Sequence, residues 1–273
     1  MKYTIQAGKY VIRNFIYLFP FAFLPAIFFA ISLDELAMNN VLKAFFGGNI
    51  SGWSFYDLFC SISVLNFGSW KSIVSGIVGI IVLIPCVAFI MAILEKHFRI
   101  GKRTYNGLLA KLNDNLLSTT GCAILLLVIY EVWSLLTASV LFVTSLFPTT
   151  IAYVLAVVVF LVAHILLVYL IGTIYLWLPC MQITGFKPLE ALQYSYQLAS
   201  PVKWKIAFGQ SLVLIFAEAL TGLCALFVPS TVAIFLPTAT FLYLVMIMVF
   251  CVRMQIAYFD RDAIDRADLA KYY

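Results

Sequence analysis

Long apolar runs dominate this chain, and shorter polar stretches separate them. Six runs reach about nineteen residues or more, the length that an α-helix needs to cross the hydrocarbon core of a bilayer. We therefore predict a single all-α membrane domain over residues 1–273, a polytopic helical bundle with six transmembrane helices. The predicted spans are about 15–33, 73–94, 121–147, 151–178, 206–228 and 232–258.

The first apolar run follows the basic residues Lys2, Lys9 and Arg13, as in a signal peptide. Its apolar part is longer than the core of a usual signal peptide, and further spans follow it. Pro20 and Pro25 interrupt the run. We therefore expect a retained first helix that is kinked by these prolines.

Residues 34–71 form the longest segment between two spans, and we call this segment the aromatic cap. Aromatic rings with polar edges prefer the headgroup level of a membrane. The segment is therefore predicted to lie on the outer interface, with short helices near 35–46 and 54–64. Its aromatic residues include Phe45, Phe46, Trp53, Phe55, Tyr56, Phe59, Phe67 and Trp70.

Basic residues are distributed unevenly about the predicted spans. Fifteen of the seventeen Lys and Arg residues lie on one side, and Lys43 and Lys71 are the two exceptions. Because positive charges stay in the cytoplasm, we expect a cell-membrane protein with both termini, including the tail 260–273, inside. Lipids are the expected partners, and four residues of one inner loop are predicted to meet their headgroups: Lys96, Arg99, Lys102 and Arg103.

Composition agrees with this interpretation, since 64% of the residues are hydrophobic and only 11% are charged. A soluble domain carries about 25% charged residues. The net charge of +5 does not indicate nucleic-acid binding, because the basic residues flank the apolar spans. The six cysteines form no CxxC pair and predict no disulfide framework.

The third and fifth spans resemble each other. Residues 125–131 align with 212–218, which places Glu131 opposite Glu218, and the turn 148–150 aligns with 229–231. Amphipathic stretches at 104–117 and 186–198 precede the two hairpins. The pattern predicts an internal repeat of an amphipathic helix and a membrane hairpin, in parallel copies, with the N-terminal stretch as a diverged third copy.

Glu131 and Glu218 are the main candidates for chemistry. A charge at the centre of a bilayer costs about 2.5–3.5 kcal/mol, so such groups face the bundle interior, pair or lose their charge. One interpretation is structural, with hydrogen bonds to Ser134, Thr137, Gln210, Ser211 or Thr221. The other is functional, as an ion or proton pathway or a pocket for a polar head group.

His164 and Arg253 complete the set of candidate pathway residues. A single histidine inside a span is more typical of a hydrogen-bonding core residue than of a metal ligand. Arg253 lies near the inner end of the last span, where a long side chain is expected to reach lipid phosphates. The alternative is an ion pair with a carboxylate in the bundle.

Enzyme signatures are missing from the sequence, which contains no HExxH, GxSxG or phosphate-binding GxxxxGK[ST] motif. We therefore predict no catalytic residue, metal or cofactor. No ATP-binding motif occurs either, so any energy source is expected to be an ion gradient or a separate ATPase subunit.

The stretch 186–195, Phe-Lys-Pro-Leu-Glu-Ala-Leu-Gln-Tyr-Ser, and the order of the spans resemble bacterial six-span membrane proteins. These are similar to the membrane domain of glycerophosphodiester phosphodiesterases. The resemblance covers the chain by topology and only this stretch by motif. It implies a bacterial integral membrane protein, and no catalytic residue is carried over because nothing here matches the phosphodiesterase domain.

Two functions are consistent with these observations. The first is a non-enzymatic scaffold or partner subunit of a membrane transport or envelope assembly. The second is a transporter or channel for an ion, a proton-coupled solute or a lipid that uses Glu131 and Glu218. An intramembrane enzyme comes third. The oligomeric state has no signal in the sequence.

Overall fold

The computed structural model describes residues 2–101, 103, 105–227 and 232–262. Over these residues the chain is almost entirely helical and has no strand. A 3₁₀ turn at Ile50–Gly52 lies between the second and third helices. The α-helices are α1 Lys2–Ser32, α2 Glu35–Phe46, α3 Phe55–Ile62, α4 Trp70–Ile100, α5 Leu108–Ser145, α6 Thr149–Ile174, α7 Trp177–Thr184, α8 Pro188–Ala199, α9 Lys203–Phe227 and α10 Val232–Arg261.

Six helical segments of the described chain are long and apolar enough to cross a membrane, with α6 and α7 counted as one. Each overlaps one of the predicted spans. The predicted class, a multi-pass helical membrane bundle, is therefore confirmed.

Local polar residues define where several helices begin and end. The side chains of Asp34, Ser54 and Ser69 each accept a hydrogen bond from the backbone N–H three residues later. These bonds satisfy donors that the first turns of α2, α3 and α4 leave free. Gly101 ends α4 in the left-handed conformation, with φ of 74°, which a glycine adopts without steric cost.

Helix α1 packs mainly against α4 and α10. Its residues Ala7, Ala22 and Ala26 are fully buried. In α4, a Cβ atom at Gly79 would lie 3.1 Å from the ring of Phe29. Such small residues let helices approach closely, which matters in lipid because apolar burial does not drive helices together there.

The kink in α1 is not where the sequence predicted it. Pro20 and Pro25 lie inside the helix, whereas the departure from helical dihedral angles is at Asn14, with φ −119° and ψ 18°. Asn14 Nδ2 donates to the carbonyl of Tyr10 at 2.9 Å. The side chain thus competes with the regular backbone pattern and separates residues 2–13 from the rest of α1.

The first and last helices bring their ends together. Lys2 Nζ lies 3.1 Å from Asp260 Oδ1, and the Tyr3 hydroxyl donates to Asp260 Oδ2 at 2.7 Å. We call this the terminal end of the bundle and the opposite end the cap end.

The aromatic cap contains two short helices, α2 and α3, which confirms the helices predicted near 35–46 and 54–64. The Trp53 indole donates to the carbonyl of Val41 at 3.0 Å and stacks on Phe45. The Asn39 amide donates to the carbonyl of Ala225 in α9. The cap is therefore fixed both internally and to the bundle.

The two stretches expected as separate amphipathic helices differ. Residues 188–199 form the separate helix α8, whereas residues 108–117 continue without a break into the long helix α5. The turn at Pro148 between α5 and α6 is as tight as predicted. The turn 229–231, the tail beyond residue 262, Lys102 and Thr104 lie outside the described residues.

Candidate functional site

A cavity of about 530 Å³ lies beneath the aromatic cap, and α5, α6, α9 and α10 contribute its walls. This volume is in the range of small-molecule binding sites, about 300–1,000 Å³. The walls are mainly apolar. The polar side chains that line the cavity include Ser61, Tyr130, Trp133, His164, Glu218, Thr221 and Tyr243.

His164 and Glu218 form a pair on this cavity, across the contact between α6 and α9. His164 Nε2 lies 3.0 Å from Glu218 Oε1 and 2.9 Å from Oε2. Both carboxyl oxygens therefore face Nε2, and Oε2 is itself buried. The His164 side chain is 5% exposed and that of Glu218 is 36% exposed, and both residues line the cavity.

The surroundings of His164 fix where its protons lie. Nδ1 is 2.8 Å from the backbone carbonyl of Phe160, which only accepts hydrogen bonds, so Nδ1 carries a hydrogen. A second proton lies in the hydrogen bond between Nε2 and the carboxyl group of Glu218 and can reside on either of them. In either position of this proton the pair has no net charge, which lowers the cost of holding it within the membrane.

Aromatic rings hold the imidazole in place. The ring of Phe160 lies 4.0 Å from that of His164, and the ring of Trp133 meets it edge-on at 5.2 Å between centroids. The Trp133 indole N–H donates to the carbonyl of Ala163 at 2.7 Å, which fixes this ring in turn. His164 therefore cannot move far without Trp133, whereas Glu218 has the cavity in front of it.

Glu131 has different surroundings from Glu218. Its Oε1 accepts hydrogen bonds from the backbone N–H groups of Val64 and Leu65, both at 3.0 Å. Its Oε2 accepts from the hydroxyl of Ser63 at 2.6 Å and from that of Ser134 at 3.5 Å. The carboxyl group therefore holds the last loop of the aromatic cap against α5.

The neighbour of Glu131 supports the same attachment. The Tyr130 hydroxyl donates to the carbonyl of Ile62 at 2.8 Å, which is at the end of α3. Of the partners expected from the sequence, only Ser134 contacts Glu131, because the main donors come from the cap. The structure brings His164 and Glu218 together and leaves Glu131 in a separate, structural contact.

Arg253 does not reach the membrane surface, contrary to expectation. Its side chain is buried, with 1% of the residue exposed. Nε donates to the Tyr175 hydroxyl at 2.7 Å, NH1 to Thr4 Oγ1 at 3.4 Å and NH2 to Gln210 Oε1. The expected alternative, a carboxylate partner, is also not found within ion-pair distance among the described residues.

A second cavity of about 330 Å³ adjoins the first and extends towards the terminal end. Val64, Tyr130, Tyr243 and Met246 line both cavities. The second cavity has almost purely apolar walls, with Gln210 and Tyr175 among its few polar side chains. The two cavities therefore form adjoining compartments along the bundle.

The predicted headgroup residues lie near the terminal end. Arg99 and Lys111 pair with the buried Glu95 at 3.2 and 3.1 Å. The Arg103 guanidinium lies 5.8 Å from the ring centre of Tyr17. Lys96 Nζ donates to the carbonyl of Asn106. These contacts use part of the basic charge within the protein and leave Arg99 and Arg103 exposed.

Sequence reasoning named His164 and Glu218 separately and missed the pair. A usable signal was present, because an isolated imidazole and an isolated carboxylate inside spans are each costly and gain most by meeting. The backbone donors of Glu131 carried no signal, since any residue of the cap supplies an N–H group.

Comparisons with known proteins add no further assignment. No family model, no curated protein and no solved structure matches this chain at a significant level.

Proposed function

We propose that this protein is a transporter that binds an amphipathic molecule inside its helical bundle and couples its movement to a proton held by His164 and Glu218. The observation that carries the proposal is the pair itself, a histidine and a glutamate in contact inside the membrane bundle that both lie on the wall of a 530 Å³ cavity. A purely structural pair has no need of an adjacent cavity of this size.

The pair suits proton transfer for a physical reason. Its two groups share one proton, and of the two side chains on the cavity wall that of Glu218 is the more exposed, at 36% against 5% for His164. A polar head that hydrogen-bonds to Glu218 competes with His164 for the carboxylate and so changes which group holds the proton. Binding and proton movement are thereby linked at one carboxyl group.

Of the two glutamates named from the sequence as pathway candidates, the proposal uses only one for proton transfer. Glu218 takes the proton role, and Glu131 holds the aromatic cap that roofs the cavity. Residues of α2 and α3, including Val41, Phe45 and Leu58, line the cavity on the side of the cap.

For orientation, we propose that the terminal end faces the cytoplasm and the aromatic cap faces outwards in a bacterial cell membrane. The support is the distribution of charge, with fifteen of seventeen basic residues on the terminal side of the spans. The resemblance to bacterial six-span membrane proteins is part of this proposal. Fluorescent tags fused to the N-terminus and the C-terminus of the chain that report opposite sides of the membrane would overturn it.

Proton flux tests the transport proposal. The protein is reconstituted in liposomes that contain a pH-sensitive dye, and submicellar octyl phosphate, octyltrimethylammonium or octyl glucoside is added outside. We expect one of these amphiphiles to evoke proton flux that Glu218→Gln and His164→Gln abolish. Glu190→Gln, an equivalent change on the exposed face of α8, is expected to keep it. Flux no greater than in empty liposomes for all three amphiphiles would overturn the proposal.

A partner subunit of a transport or envelope assembly is the second candidate. The observation that favours it is Glu131, an intramembrane carboxylate fully used in holding the fold together. An ATPase or second membrane subunit that co-purifies in a fixed ratio from native membranes would support this candidate.

A further inference from the structure

Arg253 is a buried charge with no carboxylate within ion-pair distance among the described residues. A buried guanidinium is normally paired with a carboxylate or phosphate, because removing a charge from water is costly. Here its three contacts are a hydroxyl of Thr4, a phenol of Tyr175 and an amide of Gln210, all neutral. Three contacts also leave two of its five N–H donors without an acceptor.

The position of Arg253 relates this charge to a cavity. The guanidinium lies behind Tyr175 and Gln210, and both of these residues line the 330 Å³ cavity. Most of the remaining lining is apolar, with aliphatic residues of α4 and α5 such as Leu83, Ile84 and Leu126. The cavity is therefore mainly apolar, and the cationic side chain of Arg253 lies directly behind two of its polar lining residues, Tyr175 and Gln210.

We propose that this cavity binds an amphiphile with an anionic head, a carboxylate or a phosphate, and that Arg253 supplies the counter-charge. The head takes the place of the Gln210 amide as the acceptor for the guanidinium, and the apolar tail fills the chamber. Guanidinium groups suit such heads because they bind carboxylate and phosphate through two parallel hydrogen bonds.

This inference rests on the proposed function and names its substrate class. An anion at Arg253 and a proton at the His164–Glu218 pair together carry no net charge. The two adjoining cavities would thus move an acidic amphiphile with its proton, without transferring net charge across the membrane.

Binding to the purified full chain in a neutral detergent tests the inference. Dodecyl phosphate, phosphatidylglycerol, dodecyl maltoside and inorganic phosphate are compared by thermal unfolding and native mass spectrometry. We expect dodecyl phosphate or phosphatidylglycerol to raise the Tm and to remain bound, which also distinguishes a soluble amphiphile from a membrane lipid. Dodecyl maltoside and inorganic phosphate are expected to have no effect.

Variants make the result specific to Arg253. Arg253→Gln is expected to weaken anion binding by roughly tenfold or more, whereas Arg13→Gln, which changes an exposed arginine of α1, is expected to leave it unchanged. If Arg253→Gln does not fold, Gln210→Leu serves as the test. This change removes the amide that competes with the anionic head for Arg253, so the anion should raise the Tm by more than in the unaltered protein.

Several outcomes would overturn the inference. These are equal binding of neutral and anionic amphiphiles, unchanged binding in Arg253→Gln, unchanged stabilisation in Gln210→Leu, or full stabilisation by inorganic phosphate alone. Glu218→Gln should still bind the anion. Normal binding without proton flux would therefore count against the proposed transport and not against the anion site.

Discussion

Glu131 and Glu218 hold equivalent positions in the aligned third and fifth spans, yet the bundle surrounds them differently. Glu131 accepts hydrogen bonds from two backbone N–H groups and two hydroxyls, and three of these four donors belong to the aromatic cap. Glu218 has one partner, the imidazole of His164, and faces a cavity. Aligned positions in the sequence thus do not give the two carboxylates the same surroundings.

The difference arises from what lies next to each helix. The aromatic cap packs its last loop on α5, so Glu131 meets a set of donors that are free because the loop has no regular backbone pairing. Helix α9 packs instead on α2, through residues such as Asn39 and Leu42, and the backbone N–H groups inside a helix are already paired. Glu218 is therefore left to pair within the bundle.

The largest expected effect concerns Cys60, which is buried in the cap. Burial raises the pKa of its thiol, mainly by desolvation, so labelling by a maleimide near neutral pH requires the cap to open. Glu131→Ala removes the acceptor of three cap donors and should increase the labelling rate by about 100-fold, which corresponds to about 3 kcal/mol of easier opening.

The matched variant for this measurement is Glu218→Ala, which should leave Cys60 labelling unchanged. In the unaltered protein the labelling rate of Cys60 should keep rising with pH up to the raised pKa of its thiol. In Glu131→Ala, where Cys60 becomes exposed, the rate should level off at a lower pH. Labelling counts only in a background where Cys60 is the remaining cysteine. Equal acceleration by both variants would remove the distinction between the two glutamates.

The next effect is on overall stability. Glu131→Ala leaves two backbone N–H groups and the Ser63 hydroxyl without their acceptor, and should lower the free energy of unfolding by about 3 kcal/mol. Glu218→Ala should lower it by less, about 1 kcal/mol, because it leaves a single group, Nε2 of His164, without its partner. Thermal unfolding in detergent measures both, and a larger loss in Glu218→Ala would contradict the assignment.

A smaller effect sharpens the role of the pair. If His164 and Glu218 act as one unit, each single change to Gln should reduce proton flux by roughly tenfold or more, and the double variant should lose no more than either single one. Additive losses would show that the two residues act independently.

The smallest expected effect concerns Tyr130, whose hydroxyl donates to the carbonyl of Ile62. Tyr130→Phe removes this one neutral hydrogen bond and should cost about 1 kcal/mol. Cys60 labelling should rise by only a few-fold, well below its rise in Glu131→Ala. A larger effect would place Tyr130, not Glu131, as the main attachment of the cap.

The spans, the short helices of the aromatic cap and the turn at Pro148 were predictable because each depends on local sequence alone. Hydrophobic runs set the long helices, and Asp34 and Ser54 start the short ones. The Asn14 kink was missed because proline was the stronger local signal. The proposed internal repeat stays a prediction.

The candidate site was predictable only as separate residues. Glu218 and His164 stood out because polar residues are rare in spans, but nothing local sets the rotation of α6 against α9. Arg253 was expected at the surface because the sequence does not show that residues 2–13 pack over it, with Thr4 in contact with the guanidinium. These contacts depend on the tertiary arrangement, which no short window contains.

The close packing of α1 against α10 has a consequence for biogenesis. The ribosome makes α1 before α10, so α1 must wait in the lipid without its main neighbour until α10 has been synthesised. The Arg253 side chain can leave water cheaply only after Thr4, Tyr175 and Gln210 are assembled to receive it. Insertion of α10 is therefore the step that closes the molecule, and chains truncated before this helix should be recognised by membrane proteases as unfinished.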